Sequence, residues 1–299
     1  MRTIVVGKGI QGLKRAAHCG EDFVSFVDTA YEKWYMHIEA VPLNSYDAAL
    51  VCVPYSEQEA ILHFLLSHGK HVMVEKPLVL QPSMYGTIEQ VAQAHEAVLY
   101  TAYNHRFEPH LIRMKQMLDN NELGEIYSVR MFYGNGTAQN VKGTWRDKSI
   151  LHEIGSHLFD LLYWWNGKLP LWKKTTFSRS ETNTPDYVMV QLGEDGISPI
   201  TLEMTWLSWR NTFTCYIIGS KGSAHIDGLC KWGPSTFTHR HRILPSGKPL
   251  EERVTLEQDD PTWRAEYAYF KGLIENKHKT DLSWDAELMR TFKELERGI

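Results

Sequence analysis

Cysteine is scarce in this chain, and its copies are scattered. Cys19, Cys52, Cys215 and Cys230 form no C-x-x-C pair, and Cys52 falls within an apolar run. That spacing excludes a cysteine zinc site and a disulfide framework, so a reduced, cytoplasmic protein is expected. Long hydrophobic stretches are missing as well: no run approaches the roughly 20 apolar residues of a membrane helix. The opening residues do not read as a secretion signal, because Met1–Val6 passes straight into a glycine-rich turn. Nor is there a basic surplus. The 32 Lys and Arg are outnumbered by 36 Asp and Glu, so no global field favours nucleic acid. No internal repeat or low-complexity segment occurs, which excludes a repeat architecture.

What is there is an ordinary globular composition, and 299 residues suffice for one large domain or two smaller ones. TIVVG (3–7), FVSFVD (23–28), AALVCVP (48–54), KHVMVEKP (70–77) and VLYTAYN (98–104) read as strands, with helices near 10–18, 57–68 and 82–95. Strands alternating with helices mean βαβ units and a parallel sheet. The interval from Phe23 to Ala48 is short, so the usual third strand–helix unit is abbreviated. After Asn104 the rhythm changes. A helix near 109–120 precedes the strand EIYSVRMFYG and a long helix that starts LHEIGSHLFDLL (151–162). YVMVQL, ITLEMTW, FTCYIIGS and SAHIDG follow with short turns, and a last helix spans 284–296. Successive strands with little helix between them predict a mostly antiparallel sheet. The expected division is an α/β domain over 1–105 and an α+β domain over 106–299.

Gly7-Lys8-Gly9-Ile10-Gln11-Gly12 fits G-x-G-x-x-G directly after a strand and at the opening of a helix. The first glycine permits the turn, the second lets backbone approach a pyrophosphate, and the third lets helix pack on strand. About twenty residues on, Asp28 ends the second strand, where a carboxylate accepts ribose hydroxyls and repels a 2′-phosphate. NAD is therefore expected over NADP, with Lys8 or Lys33 able to hold a phosphate in the second case. Glu75-Lys76-Pro77 closes another strand at the edge where parallel sheets bind ligands. Lys76 there is either a partly desolvated donor and proton relay or a solvated strand-end lysine. The Lys76–Pro77 bond can be cis or trans.

The histidine helix almost spells H-E-x-x-H. At about 100° per residue, however, His152 and His157 lie about 140° apart and cannot share a metal. No metal is expected. Glu153, His157 and Asp160 fall at i, i+4 and i+7 on one face, where a carboxylate one turn away can orient an imidazole and raise its basicity. The same spacing also describes a buried, mutually satisfied polar cluster.

Taken together, GKGIQG, VCVP before a helix, GKHVMVEKPL, YNHRFEP, GTWR, EIGSHLFDLL and IIGSKGSAHIDG resemble the glucose–fructose oxidoreductase, inositol dehydrogenase and MocA family over nearly the whole chain. The resemblance implies a Rossmann domain, a second domain on a large, mostly antiparallel open sheet, a nicotinamide cofactor, and sugars, cyclitols or nucleotide-linked sugars as substrates. It makes Lys76 the catalytic lysine and His157 the histidine that exchanges the hydroxyl proton. Glu153 stands where the family usually has Asp, and Asp160 matches a later carboxylate of the same helix. Further departures are Lys148-Ser149-Ile150 for a glycine-rich lead-in, Val53 before Pro54, and Gln58 for a frequent histidine.

The expected activity is reversible oxidation of a secondary alcohol. His157, tuned by Glu153, takes the proton while Lys76 stabilises charge on oxygen. The cofactor would rest on Gly7, Gly9, Ile10, Gln11, Gly12, Asp28, Pro54, Glu75 and Lys76. Tyr103, Asn104, Trp145, Arg146 and Asp160 are candidate substrate contacts, with Arg106 structural. A dinucleotide-binding sensor without catalysis and a reductase of a non-sugar substrate are the alternatives; Lys76 and His157 speak against both. His239-Arg240-His241-Arg242 reads as a solvent-facing strand or as a contact for an anionic substrate. Tyr127, Val129, Met131 and Tyr133, with Leu202, Met204 and Trp206, suggest a sheet face buried either in a homodimer or homotetramer or against the first domain.

Overall fold

The computed structural model describes residues 1–30, 34–144, 149–193 and 198–297. They divide into two compact units, Met1–Asn104 with Trp263–Thr291, and His105–Thr262 with Phe292–Ile299. The segment Trp263–Thr291, which the sequence assigned to the second domain, thus belongs to the first unit. Its aromatic and aliphatic residues explain the difference, as set out below.

The first unit carries β1 (Thr3–Val6), α1 (Ile10–Cys19), β2 (Phe23–Val27), β3 (Ala48–Val51), α2 (Tyr55–Ser67), β4 (His71–Glu75), α3 (Met84–Ala94) and β5 (Leu99–Ala102). The strands pair in parallel in the order β2-β1-β3-β4-β5. Between β2 and β3 the described residues form one bridge, Val27 to Tyr35, and two 3₁₀ turns, in keeping with the expected abbreviation. The strands are mostly apolar on both sides because both faces are covered. Ile4, Val6, Ala49, Val51, Val72 and Val74 pack with Leu62, Leu65 and Leu66 of α2 and with Ile88 of α3. On the other face Val5, Leu50 and Met73 join Tyr267 and Phe270.

The second unit contributes α4 (Pro109–Asp119), β6 (Ile126–Gly134), a short α5 (Ala138–Val141), a π turn (Leu151–Gly155) running into α6 (Ser156–Asn166), and β7 (Trp172–Ser178). β8 (Tyr187–Leu192), β9 (Ile200–Thr205), β10 (Thr212–Gly219), β11 (Gly222–Asp227), β12 (Ser235–His241) and β13 (Glu251–Leu256) complete its sheet. Two more helices close the chain. They are α7 (Thr262–Glu275), which lies in the first unit from Trp263 onward, and α8 (Ser283–Glu296), whose residues from Phe292 count with the second. Among the described residues the sheet has eight strands in the order β13-β12-β11-β10-β6-β9-β8-β7, antiparallel except for β6 with β9. β7, β13 and α7 were not assigned from the sequence, and β12 only at its His239–His241 end, although Trp263, Tyr267, Phe270 and Ile274 already show helical spacing.

The sheet face proposed for self-association is occupied by the chain itself. Val129, Met131, Tyr133, Leu202, Met204 and Trp206 are all buried, and only Tyr127 is exposed. Register pairs Met131 with Leu202 and Tyr133 with Met204. Gly155 of the π turn approaches that face so closely that a Cβ would stand 3.1 Å from Met204 Sδ. These residues are core of the second unit.

The glycine loop depends on similar close approaches. Gly7 has φ +93°, and a Cβ on Gly12 would stand 1.8 Å from Gly7 O, whereas one on Gly9 would meet nothing within 4 Å. Gly12→Ala should therefore displace α1 from β1 and cost about 2 kcal/mol or more, read as a lower urea midpoint. Gly9→Ala should leave the midpoint within about 0.5 kcal/mol of wild type.

Candidate active site

Two constellations stand out, one in each unit. In the first, the loops after β1 and β3 touch where the chain reverses direction across the sheet, the position at which open α/β sheets bind ligands. A Cβ on Gly7 would lie 2.5 Å from Cys52 O. Gly9 caps α1 without any side-chain cap, so the first N–H groups of that helix have no partner within it. Open space at Gly9 beside such donors suits a pyrophosphate. Asp28 is held in place at the end of β2: Lys8 N–H donates to Oδ2 at 2.6 Å and Ala30 N–H to Oδ1 at 2.8 Å. Pro54 is exposed at the N-cap of α2. These residues fit a dinucleotide.

The E-K-P turn is fixed from below. Glu75 Oε1 accepts from Arg15 Nε at 2.7 Å, and Arg15 Nη1 donates to Glu266 Oε2 at 2.5 Å. Arg15 and Glu266 are 3% and 0% exposed. Glu75, read as a cofactor contact, is therefore first an ion-pair partner. Gln58 is fully buried, with Nε2 donating to Glu75 O and Oε1 accepting from Val79 N–H, each at 3.3 Å. It brackets Lys76 and Pro77, whose peptide bond is cis. Lys76 is half-buried.

The second constellation surrounds His157, which is 8% exposed. Its Nδ1 hydrogen-bonds to Nδ1 of His105, a fully buried residue of the 3₁₀ turn Asn104–Phe107. His105 Nε2 in turn accepts from Lys231 Nζ at 2.8 Å. Tyr133 stacks on His157 at 5.7 Å, and Lys231 lies over the Trp232 ring at 4.5 Å. Glu108 caps α4 and accepts from Cys230 N–H at 3.2 Å; burial pushes its carboxyl above the usual range. His105 and Lys231 were missed in the sequence because 126 residues separate them.

The face predicted for Glu153, His157 and Asp160 changes in detail. Leu151–Gly155 is a π turn, wider than an α turn, so Glu153 does not follow the i, i+4 geometry assumed for a continuous α-helix. His105, rather than Glu153, meets His157 Nδ1. Asp160 is 1% exposed, and its carboxylate accepts from Arg106 Nε at 2.9 Å and Nη2 at 2.5 Å. Tyr103 likewise is buried and donates to Asp285 Oδ1 at 3.0 Å. Asn104 is buried at the start of the 3₁₀ turn. Trp145, Arg146 and Lys33 lie outside the described residues. His152 stacks on Phe292, apart from the chain of His157. Arg240 Nε donates to Glu251 Oε2 at 2.7 Å and Arg242 Nη1 to the Ser220 carbonyl at 2.9 Å.

Comparison with known proteins agrees with this architecture. Residues 8–103 match the family model described as oxidoreductase family, NAD-binding Rossmann fold, and residues 111–225 that of the GFO/IDH/MocA C-terminal domain. Glucose-6-phosphate 3-dehydrogenase of Bacillus subtilis is 27% identical over 149 residues, 47% of this chain and 42% of that protein. An inositol 2-dehydrogenase of Rhizobium meliloti is 25% identical over 125 residues, 42% of this chain and 38% of its own length. The chain thus spans about two fifths of each of these curated relatives. In fold it is similar to levoglucosan dehydrogenase in complex with NADH and L-sorbose, with a TM-score of 0.79 at 15% identity over 96% of this chain and 93% of that one. Among the described residues no helix is long and apolar enough to cross a membrane.

The buried carboxylates predict a pH response. Burial raises Glu266 from 4.5 to about 7, opposed by Arg15. Between those values the folded protein holds a proton that the unfolded chain has released, so stability is greatest at the acid end of the window and declines as pH rises through about 7. Unfolding free energies from urea titrations should fall for wild type between pH 5 and 8 and stay flatter for Glu266→Gln. Equal slopes would refute the assignment.

Proposed function

The chain belongs to the GFO/IDH/MocA oxidoreductase family, and from that premise we propose that it interconverts a secondary alcohol and a ketone on a sugar, cyclitol or nucleotide-sugar substrate. The observation that carries this reading is the chain Lys231–His105–His157, whose two imidazoles are buried. A dinucleotide sensor without catalysis has no use for a proton path.

The cofactor is proposed to be NAD. Gly7 to Gly12 would hold its pyrophosphate and Asp28 its ribose hydroxyls, with Pro54 beside the same sheet edge. When bound, the nicotinamide supplies the acceptor or donor of hydride. Lys76, a half-buried cation at the end of β4, stabilises negative charge on the substrate oxygen. Glu153 is assigned to orienting the substrate, since Nδ1 of His157 is engaged by His105.

The donor inventory sets the direction of the proton path. An ammonium only donates, so Lys231 donates to His105 Nε2 and the proton of His105 rests on Nδ1. That proton is directed at His157 Nδ1, and the proton of His157 rests on Nε2. This is the acid form, which protonates the oxygen of a ketone under reduction. In alcohol oxidation the path starts one proton poorer, with Lys231 neutral. The hydroxyl proton passes to His157 Nε2, the Nδ1 proton of His157 to His105 Nδ1, and the Nε2 proton of His105 to the Lys231 amine.

Self-association through the second sheet is kept in the proposal but moves to the opposite face. Phe132, Met189, Tyr216 and Ile218 share that face by strand register, and Ile218 is 45% exposed. Light scattering decides it, and a clean monomer sinks it. A reducing, cytoplasmic setting is part of the same reading.

Titration with NAD and NADP should give saturable binding that favours NAD, with the preference narrowed by Asp28→Ala. On a panel of sugars and nucleotide sugars followed at the nicotinamide absorbance, His157→Ala and Lys76→Ala should each lower turnover about 10²–10⁴-fold. Lys231→Met should bind dinucleotide normally yet lower kcat and shift its pH profile. Failure to bind either dinucleotide ends the whole reading, and an unmoved pH profile in Lys231→Met ends the proton path alone.

A further inference from the structure

At the free edge of the second sheet, His239 and His241 are two residues apart on β12, so their imidazoles leave the strand on the same side. Register sets Glu252 of β13 directly across from His239. The two rings have centroids 4.1 Å apart, and His241 Nε2 already lies 2.9 Å from Glu252 Oε1. One nitrogen from each histidine and one carboxylate oxygen all fall within 4.8 Å of one another. We propose that His239, His241 and Glu252 form a binding site for a divalent transition-metal ion of the zinc type.

Zinc bonds of about 2.0–2.1 Å in a tetrahedron place donor atoms roughly 3.4 Å apart. Small side-chain rotations on a paired strand close the present set to that size. Two imidazoles and one carboxylate favour zinc over magnesium or calcium, which prefer all-oxygen surroundings. His239 is 6% exposed. Glu252 turns Oε1 toward His241, while its Oε2 lies 3.8 Å from Arg113 Nη2. Three protein ligands leave a fourth position for solvent. None of the three residues belongs to the His157 chain.

The place in the fold indicates what such an ion does. Among the described residues β13 is an edge strand, paired with β12 alone, and its residues from Glu251 to Thr255 are exposed. It buries almost nothing of its own, so hydrogen bonds to one neighbour are most of what holds it. An ion shared between β12 and β13 fastens that edge.

The test is a Zn²⁺ titration of chelator-stripped, full-length protein in competition with a chromophoric chelator. One equivalent should bind with submicromolar affinity, and Zn²⁺ should raise the melting temperature. His241→Ala and Glu252→Gln should each weaken that equivalent more than about 100-fold, beyond what losing a group hydrogen-bonded to a ligand does. Their melting should no longer respond to Zn²⁺. His241 and Glu252 are about half exposed, so neither substitution threatens the fold as His239→Ala would. Equal zinc binding by wild type and both variants would assign the ion to other histidines and overturn the site. So would a wild type that takes up zinc only at millimolar concentration.

Discussion

One buried guanidinium organises the functional edge of the first unit. Arg15 leaves α1 one turn after the glycine loop, reaches Glu75 at the end of β4, and meets Glu266 on α7. A charge this deep is tolerable only if it is compensated, because desolvation costs several kcal/mol per ion. Two carboxylates supply that compensation, and they come from segments 191 residues apart in the chain. The helix after the glycine loop, the lysine-bearing strand end and the late helix are thereby tied to one point. The Trp263 ring, 4.4 Å from the guanidinium carbon, covers the remaining side.

The second unit solves a related problem differently. Its polar centre lies under the sheet, walled by Tyr133 and Trp232, and is satisfied by imidazoles and an ammonium arranged in series. A chain of groups that each donate and accept can pass a proton without exposing it to bulk water. The neighbouring Arg106–Asp160 pair is bidentate and fixes the helix that carries His157. The π turn before α6 widens the backbone where Gly155 meets Met204, the contact that seats this helix on the sheet. Short-range rules describe none of these partnerships, since each joins residues more than 45 positions apart.

Much was nonetheless legible in the residue order. Alternating strands and helices announced the parallel sheet, and the short interval between Phe23 and Ala48 announced the missing unit. Gly7 and Gly12 were readable because their role is steric and local. The oligomer face was misread because strand alternation shows which residues share a side but not whether a helix covers it. Met131 and Met204 look the same in a sequence whether a partner or α6 lies above them. Gln58 registered only as a departure from a family pattern, and the structure turns it into the clamp on the E-K-P turn.

By itself, then, the sequence determined the order and type of the main elements, the glycine loop, and the candidacy of Lys76 and His157. Those features follow from periodicity, backbone sterics and the chemistry of single side chains, all of which act over a few residues. Only tertiary structure decided the partners: Arg15 for Glu75, His105 and Lys231 for His157, Arg106 for Asp160, Glu252 for His239 and His241. Partnerships of buried polar groups are set by which chain segments pack together. That depends on burying surface from distant parts of the chain at once, and no local window of sequence contains it.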